Sequence, residues 1–166
     1  DQSRLQPWFI ANALLLAAFI FSRTDEESFN LCRLILVGVY FWSGAHKMNA
    51  SFSGALFPTL VSSFESQRLT VTLHYLGVVI PYLEMGMALA LLFPRSRRAG
   101  VVAIVGLHAS LLAVLGPFVL GWNSVVWPWN LALMILAPCL FWKPGVSASA
   151  ILTPKGKWVR NLLFAF

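Results

Sequence analysis

The stretch from Arg33 to Lys47, RLILVGVYFWSGAHK, decides the fold of this chain, because it is an apolar helix with a cation at each end. At 1.5 Å per residue it covers about 21 Å, which is shorter than the roughly 30 Å hydrocarbon core of a bilayer. The helix is therefore too short for both cations to lie at the two membrane surfaces unless their side chains extend toward them. Arg33, Tyr40 and Lys47 are seven residues apart and share one helix face. We expect this polar face to point toward other helices.

Composition places the whole chain in a membrane. Hydrophobic residues make up 58% of the 166 residues and charged residues 11%, whereas a soluble domain carries about 25% charged residues. Mean hydropathy is +0.75. The net charge of +6 lies mostly in two loops, so it indicates topology and contact with lipid headgroups and not a nucleic-acid partner. Cys32 and Cys139 are far apart, which argues against a disulfide framework or a metal site.

The apolar runs predict an all-α fold, a polytopic transmembrane helix bundle with five full spans and the start of a sixth. The predicted spans are Leu5–Phe21, Phe29–Ala45, Leu69–Phe93, Ala99–Leu120, Val125–Trp142 and a last one from Trp158. Asn49–Gln67 has apolar residues on one helical face and polar ones on the other, which predicts an interfacial amphipathic segment or a lid. We expect a single transmembrane domain over residues 1–166 that is cut at both ends, since the sequence starts at Asp1 and stops in an apolar run.

Basic residues predict the orientation of the bundle. The turn Arg95–Arg98 and the tail Lys143–Arg160 lie on the same side of the membrane by helix count, and their positive charge predicts that this side is cytoplasmic. Lys47, His46 and His74 then lie near the opposite face. We expect the Lys47 amine in a cavity between the second, third and fourth spans, roofed by the amphipathic segment.

Two polar residues inside predicted spans are candidates for a deeper site. Glu84 and His108 each lie twelve residues from Ser96, the centre of the turn between the third and fourth spans. An antiparallel hairpin brings them to a similar depth, where an isolated carboxylate would be costly. We therefore expect Glu84 and His108 to form a hydrogen-bonded pair, which either fixes helix packing or takes part in chemistry.

Two further patterns predict contacts between elements. A stripe on the third span is polar or small and should face other helices, and a face of the fourth span is small and should allow close packing. The stripe is His74, Gly77, Pro81, Glu84 and Ala88, and the small face is Ala99, Ala103, Gly106, Ser110 and Ala113. The tryptophans Trp122, Trp127 and Trp129 are typical of a membrane–water boundary, and a ring-stacking platform for a flat ligand is the alternative.

The pattern R-x6-Y-F-x-x-G-x-x-K resembles a helix of the vitamin K-dependent gamma-carboxylases and of their bacterial relatives with the HTTM-type membrane domain. The resemblance covers roughly residues 29–142, and its elements in chain order are Arg33, Tyr40, Phe41, Gly44, Lys47, Glu84, Ser96–Arg97 and His108. It implies a membrane enzyme that oxidises reduced vitamin K with O2 and carboxylates glutamate with CO2. The lysine that matches Lys47 is the base that deprotonates the hydroquinone.

This resemblance implies a candidate site with a quinone or hydroquinone as cofactor. The residues are Lys47, His74, His108 and Glu84 for catalysis, and Tyr40, Trp42, His46 and Trp127 for cofactor binding. Apolar neighbours of Lys47 would remove water from the amine and favour its neutral form, which can accept a proton from a phenolic hydroxyl. A lysine whose amine reaches the membrane surface is the structural alternative.

A competing resemblance leads to small redox-associated membrane proteins of the DoxX and MauE groups. It rests on the turn Gly44–Met48, which reads G-x-x-K-M, and on Pro81–Glu84, which reads P-x-x-E. This resemblance implies a non-enzymatic helical subunit of a membrane redox or photosynthetic complex. The expected partners are therefore membrane lipids, a lipid-like small molecule, or a larger membrane complex.

Overall fold

The computed structural model describes residues 7–61, 67–115, 126–143 and 145–153, with the backbone alone at 7, 60–61, 67–74, 114–115 and 126. Every regular element in these ranges is helical, as the all-α prediction requires. The elements are α1 (Pro7–Phe21), α2 (Asp25–Lys47), a π-helical turn (Phe52–Leu56), α3 (Phe57–Val61), α4 (Gln67–Leu92), α5 (Arg97–Leu115), α6 (Val126–Phe141) and α7 (Ala148–Leu152).

Helix α2 begins four residues before the predicted start at Phe29. Thr24 is its N-cap, and the Thr24 hydroxyl accepts a 3.2 Å hydrogen bond from the backbone N–H of Glu27. The acidic residues of the first turn favour the positive end of the helix dipole. The polar run Ser22–Ser28 lies between the predicted first and second spans, and capping makes its second half the first turn of the helix.

Helix α2 is also the centre of the bundle. It packs most extensively against α4 and contacts α1, α6 and α7 as well. Its buried residues lie on more than one face: Ser28, Asn30, Leu31, Cys32, Leu34, Ile35, Leu36, Val37, Tyr40 and Gly44. Tyr40 is 2% exposed, and Arg33 and Lys47 contact helices α6 and α4. The prediction that the Arg33–Tyr40–Lys47 face points inward is confirmed.

The predicted amphipathic segment contains two short helical turns that pack against α4. Phe52 of the apolar face is buried, and Ser51 and Thr59 of the polar face are exposed, but so is Leu56 of the apolar face. The ring of Phe57 lies directly against the backbone of Gly77 in α4. The segment therefore forms a wall beside α4, and its residues 62–66 lie outside the described ranges.

The polar stripe of α4 faces the bundle, as predicted, since Gly77, Pro81, Glu84 and Ala88 are all buried. The small face of α5 was predicted to pack closely, and this prediction is wrong. All five of its residues are exposed: Ala99, Ala103, Gly106, Ser110 and Ala113. The side that α5 buries carries Val101, Ile104 and His108 instead, because this side provides large apolar groups and a histidine with partners.

Two helical stretches of the described chain are long and apolar enough to cross a membrane, Asp25–Lys47 and Tyr75–Leu92. Two shorter helices, Trp8–Phe21 and Trp127–Phe141, are also apolar. The count of five spans remains a prediction, as does the cytoplasmic location of the Arg95–Arg98 turn. The predicted sixth span from Trp158 and most of the basic tail lie outside the described ranges.

Candidate functional site

Lys47 and Glu84 form an ion pair between α2 and α4. The Lys47 amine donates to both carboxylate oxygens of Glu84, at 2.5 and 2.7 Å, and to the hydroxyl of Ser43 at 3.0 Å. An ammonium group has three N–H donors, so these three acceptors satisfy all of them. The Phe52 ring centroid lies 5.9 Å from the amine. These groups therefore hold the Lys47 amine between α2 and α4.

The two helices that carry this pair approach each other closely at Gly44. The site that a Cβ would occupy at Gly44 is filled by the carbonyl oxygen of Pro81 and by the side chain of Met85. Small residues at a helix interface let two backbones approach within van der Waals contact. Gly44 lies one turn before Lys47, and Pro81 lies one turn before Glu84. This close contact brings the amine and the carboxylate within reach of each other.

A cleft of about 270 Å³ lies beside the ion pair. It is lined by the end of α2, by the connection that follows it and by one flank of α4: Lys47, Met48, Asn49, Ala50, Ser53, Gly77, Val78, Pro81 and Tyr82. The sequence predicts a cavity that the fourth span, here α5, helps to line, but none of these lining residues belongs to α5. Asn49, Ala50 and Ser53 bring the predicted amphipathic segment into this lining, and the segment packs against α4.

A second polar cluster joins α2, α5 and α6. The Tyr40 hydroxyl lies 2.6 Å from Nε2 of His108, and Nδ1 of His108 lies 2.6 Å from Oδ1 of Asn130. An amide oxygen only accepts hydrogen bonds, so Nδ1 carries the proton and Nε2 accepts from Tyr40. All three residues are buried. This arrangement gives His108 one defined neutral tautomer.

The predicted Glu84–His108 pair is wrong. Both oxygens of Glu84 accept from Lys47, and both ring nitrogens of His108 are occupied by Tyr40 and Asn130. The depth argument compared positions along two helices but could not include the length of a lysine side chain or the rotation of α5. Each residue finds its partner on a helix other than the one predicted.

Tyr40→Phe is expected to lower stability by about 1–3 kcal/mol, because it removes the donor to Nε2 of His108 and leaves a buried acceptor unsatisfied. The free energy of unfolding in detergent would measure this change. Tyr82→Phe is the matched control, since Tyr82 is 59% exposed and its substitution should cost less than about 0.5 kcal/mol. Equal losses for the two variants would contradict the role of the Tyr40–His108–Asn130 cluster in stability.

Two arginines are bound to backbone carbonyls near the other end of α2. Arg33 donates to the carbonyl of Leu140 and to Oδ1 of Asn30, both at 2.7 Å. Arg97 is 3% exposed and donates to carbonyl oxygens at the end of α4 and in the segment before α7: Leu91, Leu92 and Val146. Cations favour helix C-termini because carbonyls there lack helical partners. Arg33 therefore joins α2 to α6.

The remaining candidate residues are not brought into the Lys47–Glu84 pair. Trp42 and His46 lie on an exposed side of α2, with ring centroids 6.1 Å apart. Trp127 is half-buried in the first turn of α6. His74 lies in a part of α4 where only the backbone is described. The described residues therefore do not form a single site that contains all eight candidates.

Sequence reasoning missed one member of the buried polar cluster. Asn130 is a single polar residue that follows Trp127 and Trp129 and precedes the apolar run LALMILAPCLF. A lone amide in a membrane helix needs a partner on another helix, and this signal could have identified it. Ser43 lies one turn before Lys47 on α2, and its hydroxyl accepts a hydrogen bond from the Lys47 amine.

Comparison with known proteins gives one result that covers most of this site. The model of a family described as methylamine utilisation protein MauE matches residues 25–126. This range contains α2, α4 and α5, and hence Lys47, Glu84, Tyr40 and His108. It supports the second of the two resemblances and not the carboxylase one. No curated protein and no solved structure matches the chain.

Proposed function

The chain belongs to the MauE family of membrane proteins, and from this premise we propose that it is a non-enzymatic helical subunit of a membrane redox complex. In this proposal the Lys47–Glu84 pair and the Tyr40–His108–Asn130 cluster fix the relative positions of the helices. The bundle would offer its outer faces to lipid and to a partner subunit.

One observation carries this proposal. The residue that would serve as a base, Lys47, donates every one of its N–H groups to Glu84 and Ser43. A general base must lie within hydrogen-bond reach of the proton that it takes, whereas the Lys47 amine is already occupied by Glu84 and Ser43. Among the described residues, no buried side-chain nitrogen or oxygen lacks a hydrogen-bond partner. Satisfied polar groups of this kind support a structural role.

The competing function is quinone-dependent proton or redox chemistry at Lys47. It would require Glu84 to release the amine when the substrate binds, and His108 and Tyr40 already satisfy each other. The cleft beside Lys47 is the feature that favours a ligand at this place. Ligand binding and catalysis are separable, since a cleft can hold a molecule without the lysine acting on it.

The variant Lys47→Arg distinguishes the structural function from quinone-dependent chemistry at Lys47. Arginine keeps the positive charge and can donate to Glu84, but it does not lose a proton at physiological pH. If the cation is structural, Lys47→Arg should leave the yield of protein and of its co-purifying partner within about twofold of wild type, whereas Lys47→Ala should lower both. The measurement is the partner-to-chain ratio after purification from native membranes, together with complementation of a deletion strain by each variant.

Two results would contradict the subunit proposal. One is a Lys47→Arg protein that folds and binds its partner normally but fails to complement, because this pattern is expected of a base. The other is a purified wild-type chain that carries out turnover of a quinol alone. A stoichiometric partner retained by Lys47→Arg together with full complementation would support the proposal.

A further inference from the structure

The residues that line the cleft beside Lys47 indicate a binding function in addition to a structural one. We propose that it binds the head of a lipid-soluble molecule, and that this head is uncharged and forms hydrogen bonds. The polar wall is formed by Lys47, Asn49 and Ser53, and the apolar wall by Met48, Val78 and Pro81. Small-molecule sites typically combine apolar lining with a few polar groups that fix orientation.

The Lys47–Glu84 pair selects against charged heads. Lys47 lines the cleft with a side chain that is 31% exposed, whereas Glu84 lies behind it at 5%. A cation would meet the positive member of the pair first. An anion would find no free N–H on the amine and would lie close to the Glu84 carboxylate, so it could bind only by displacing Glu84. A neutral head leaves the pair intact.

Asn49 and Ser53 supply the hydrogen-bonding capacity that remains. One amide N–H of Asn49 donates to the carbonyl of His46, and Oδ1 of Asn49 accepts from the backbone N–H of Phe52. The Ser53 hydroxyl donates to the carbonyl of Asn49. A side-chain amide has a second N–H, and a serine hydroxyl has lone pairs that can accept. These groups fit a head with one acceptor and one donor, such as a phenolic or alcoholic hydroxyl.

The apolar side of the cleft gives access from the bilayer. Val78 and Tyr82 lie on the lining flank of α4 and are 47% and 59% exposed. They belong to the stretch Tyr75–Leu92, which is long and apolar enough to cross a membrane. At about 270 Å³ the cleft is slightly smaller than typical ligand pockets of about 300–1,000 Å³. It therefore suits one small head group, with the tail lying along α4 in the lipid.

The test uses three probes that share one octylphenyl tail and differ in charge. These are 4-octylphenol, 4-octylbenzoate and (4-octylbenzyl)trimethylammonium, titrated into the full chain in phosphatidylcholine nanodiscs. A ligand that binds the folded state raises the thermal midpoint as its concentration increases. We expect 4-octylphenol to bind at least about tenfold more tightly than either ionic probe. Equal affinities for the three probes would overturn the proposal, because they would indicate simple partitioning into lipid.

Val78→Trp and Val79→Trp form a matched pair of variants. The two valines are adjacent in α4 and are 47% and 44% exposed, but Val78 alone lines the cleft. We expect Val78→Trp to fill the cleft and weaken 4-octylphenol binding at least about tenfold, and Val79→Trp to change it less than about twofold. Similar losses of 4-octylphenol affinity in both variants, or no loss in either, would mean that the probe binds outside the cleft and would overturn the proposal. The test is independent of the proposed subunit function, which depends on partner recovery and not on ligand binding.

Discussion

Lys47→Met is expected to lower the stability by about 3–5 kcal/mol, because it leaves the Glu84 carboxylate buried without its partner. The Glu84 side chain is 5% exposed and lies between α2 and α4, so its carboxylate is poorly hydrated without the amine. Glu84→Gln should cost less, near 3 kcal/mol, because Lys47 is 31% exposed and can be partly solvated. The measurement is the free energy of unfolding by denaturing detergent in mixed micelles.

The double variant Lys47→Met/Glu84→Gln makes this prediction specific. Removal of both charges avoids an unpaired ion, and buried ion pairs contribute little net stability compared with neutral groups of similar size. We expect the double variant to be more stable than Lys47→Met alone by at least about 2 kcal/mol. Val102→Ala, at a site that is 60% exposed, serves as the surface control. Additive losses in the double variant would show that the two residues act independently.

The inward face of α2 and the buried stripe of α4 could be predicted from spacing alone. Arg33, Tyr40 and Lys47 recur every seven residues, and polar groups in an apolar helix must turn away from lipid to find partners. Pro81 and Glu84 follow from the same argument on α4. This is a strong constraint because an unsatisfied polar group in a membrane costs several kcal/mol.

The identity of each partner could not be predicted in the same way. Glu84 and His108 are equally far from Ser96 along the chain, but depth says nothing about which direction a side chain faces. α5 is rotated so that His108 points to Tyr40 and Asn130, and the long side chain of Lys47 reaches Glu84 from the end of α2. Helix rotation and side-chain reach are properties of the packed bundle and not of any one segment.

The rotation of α5 also explains why its small face was misassigned. Small residues allow close packing, but they do not require it, and lipid accepts alanine and glycine without penalty. Val101, Ile104 and His108 give the opposite side more surface to bury and a polar group that needs partners. Where a helix has both a small face and a face with a histidine, the histidine decides the orientation, since only that face carries an energetic cost if it is left in lipid.

Gly44→Ala is expected to destabilise the bundle by about 1–3 kcal/mol, because an added methyl group would overlap the carbonyl oxygen of Pro81 and the side chain of Met85. Met85 can change rotamer, but a backbone carbonyl cannot move unless α2 and α4 separate. Separation would also lengthen the contact between Lys47 and Glu84, which lie one turn beyond on each helix. The substitution should therefore weaken both packing and the ion pair.

Gly38→Ala provides the matched control on the same helix. Nothing lies within 4 Å of the position that its Cβ would occupy, and alanine is favoured over glycine inside a helix by about 1 kcal/mol. We expect Gly38→Ala to be neutral or stabilising, so it should be more stable than Gly44→Ala by at least about 1 kcal/mol. Unfolding by denaturing detergent would measure both. In the Gly44→Ala background, Lys47→Met should cost less than in the wild type, because a pair that is already stretched has less stability to lose. A full additional loss would mean that α2 and α4 hold their spacing at Lys47 without the contact at Gly44.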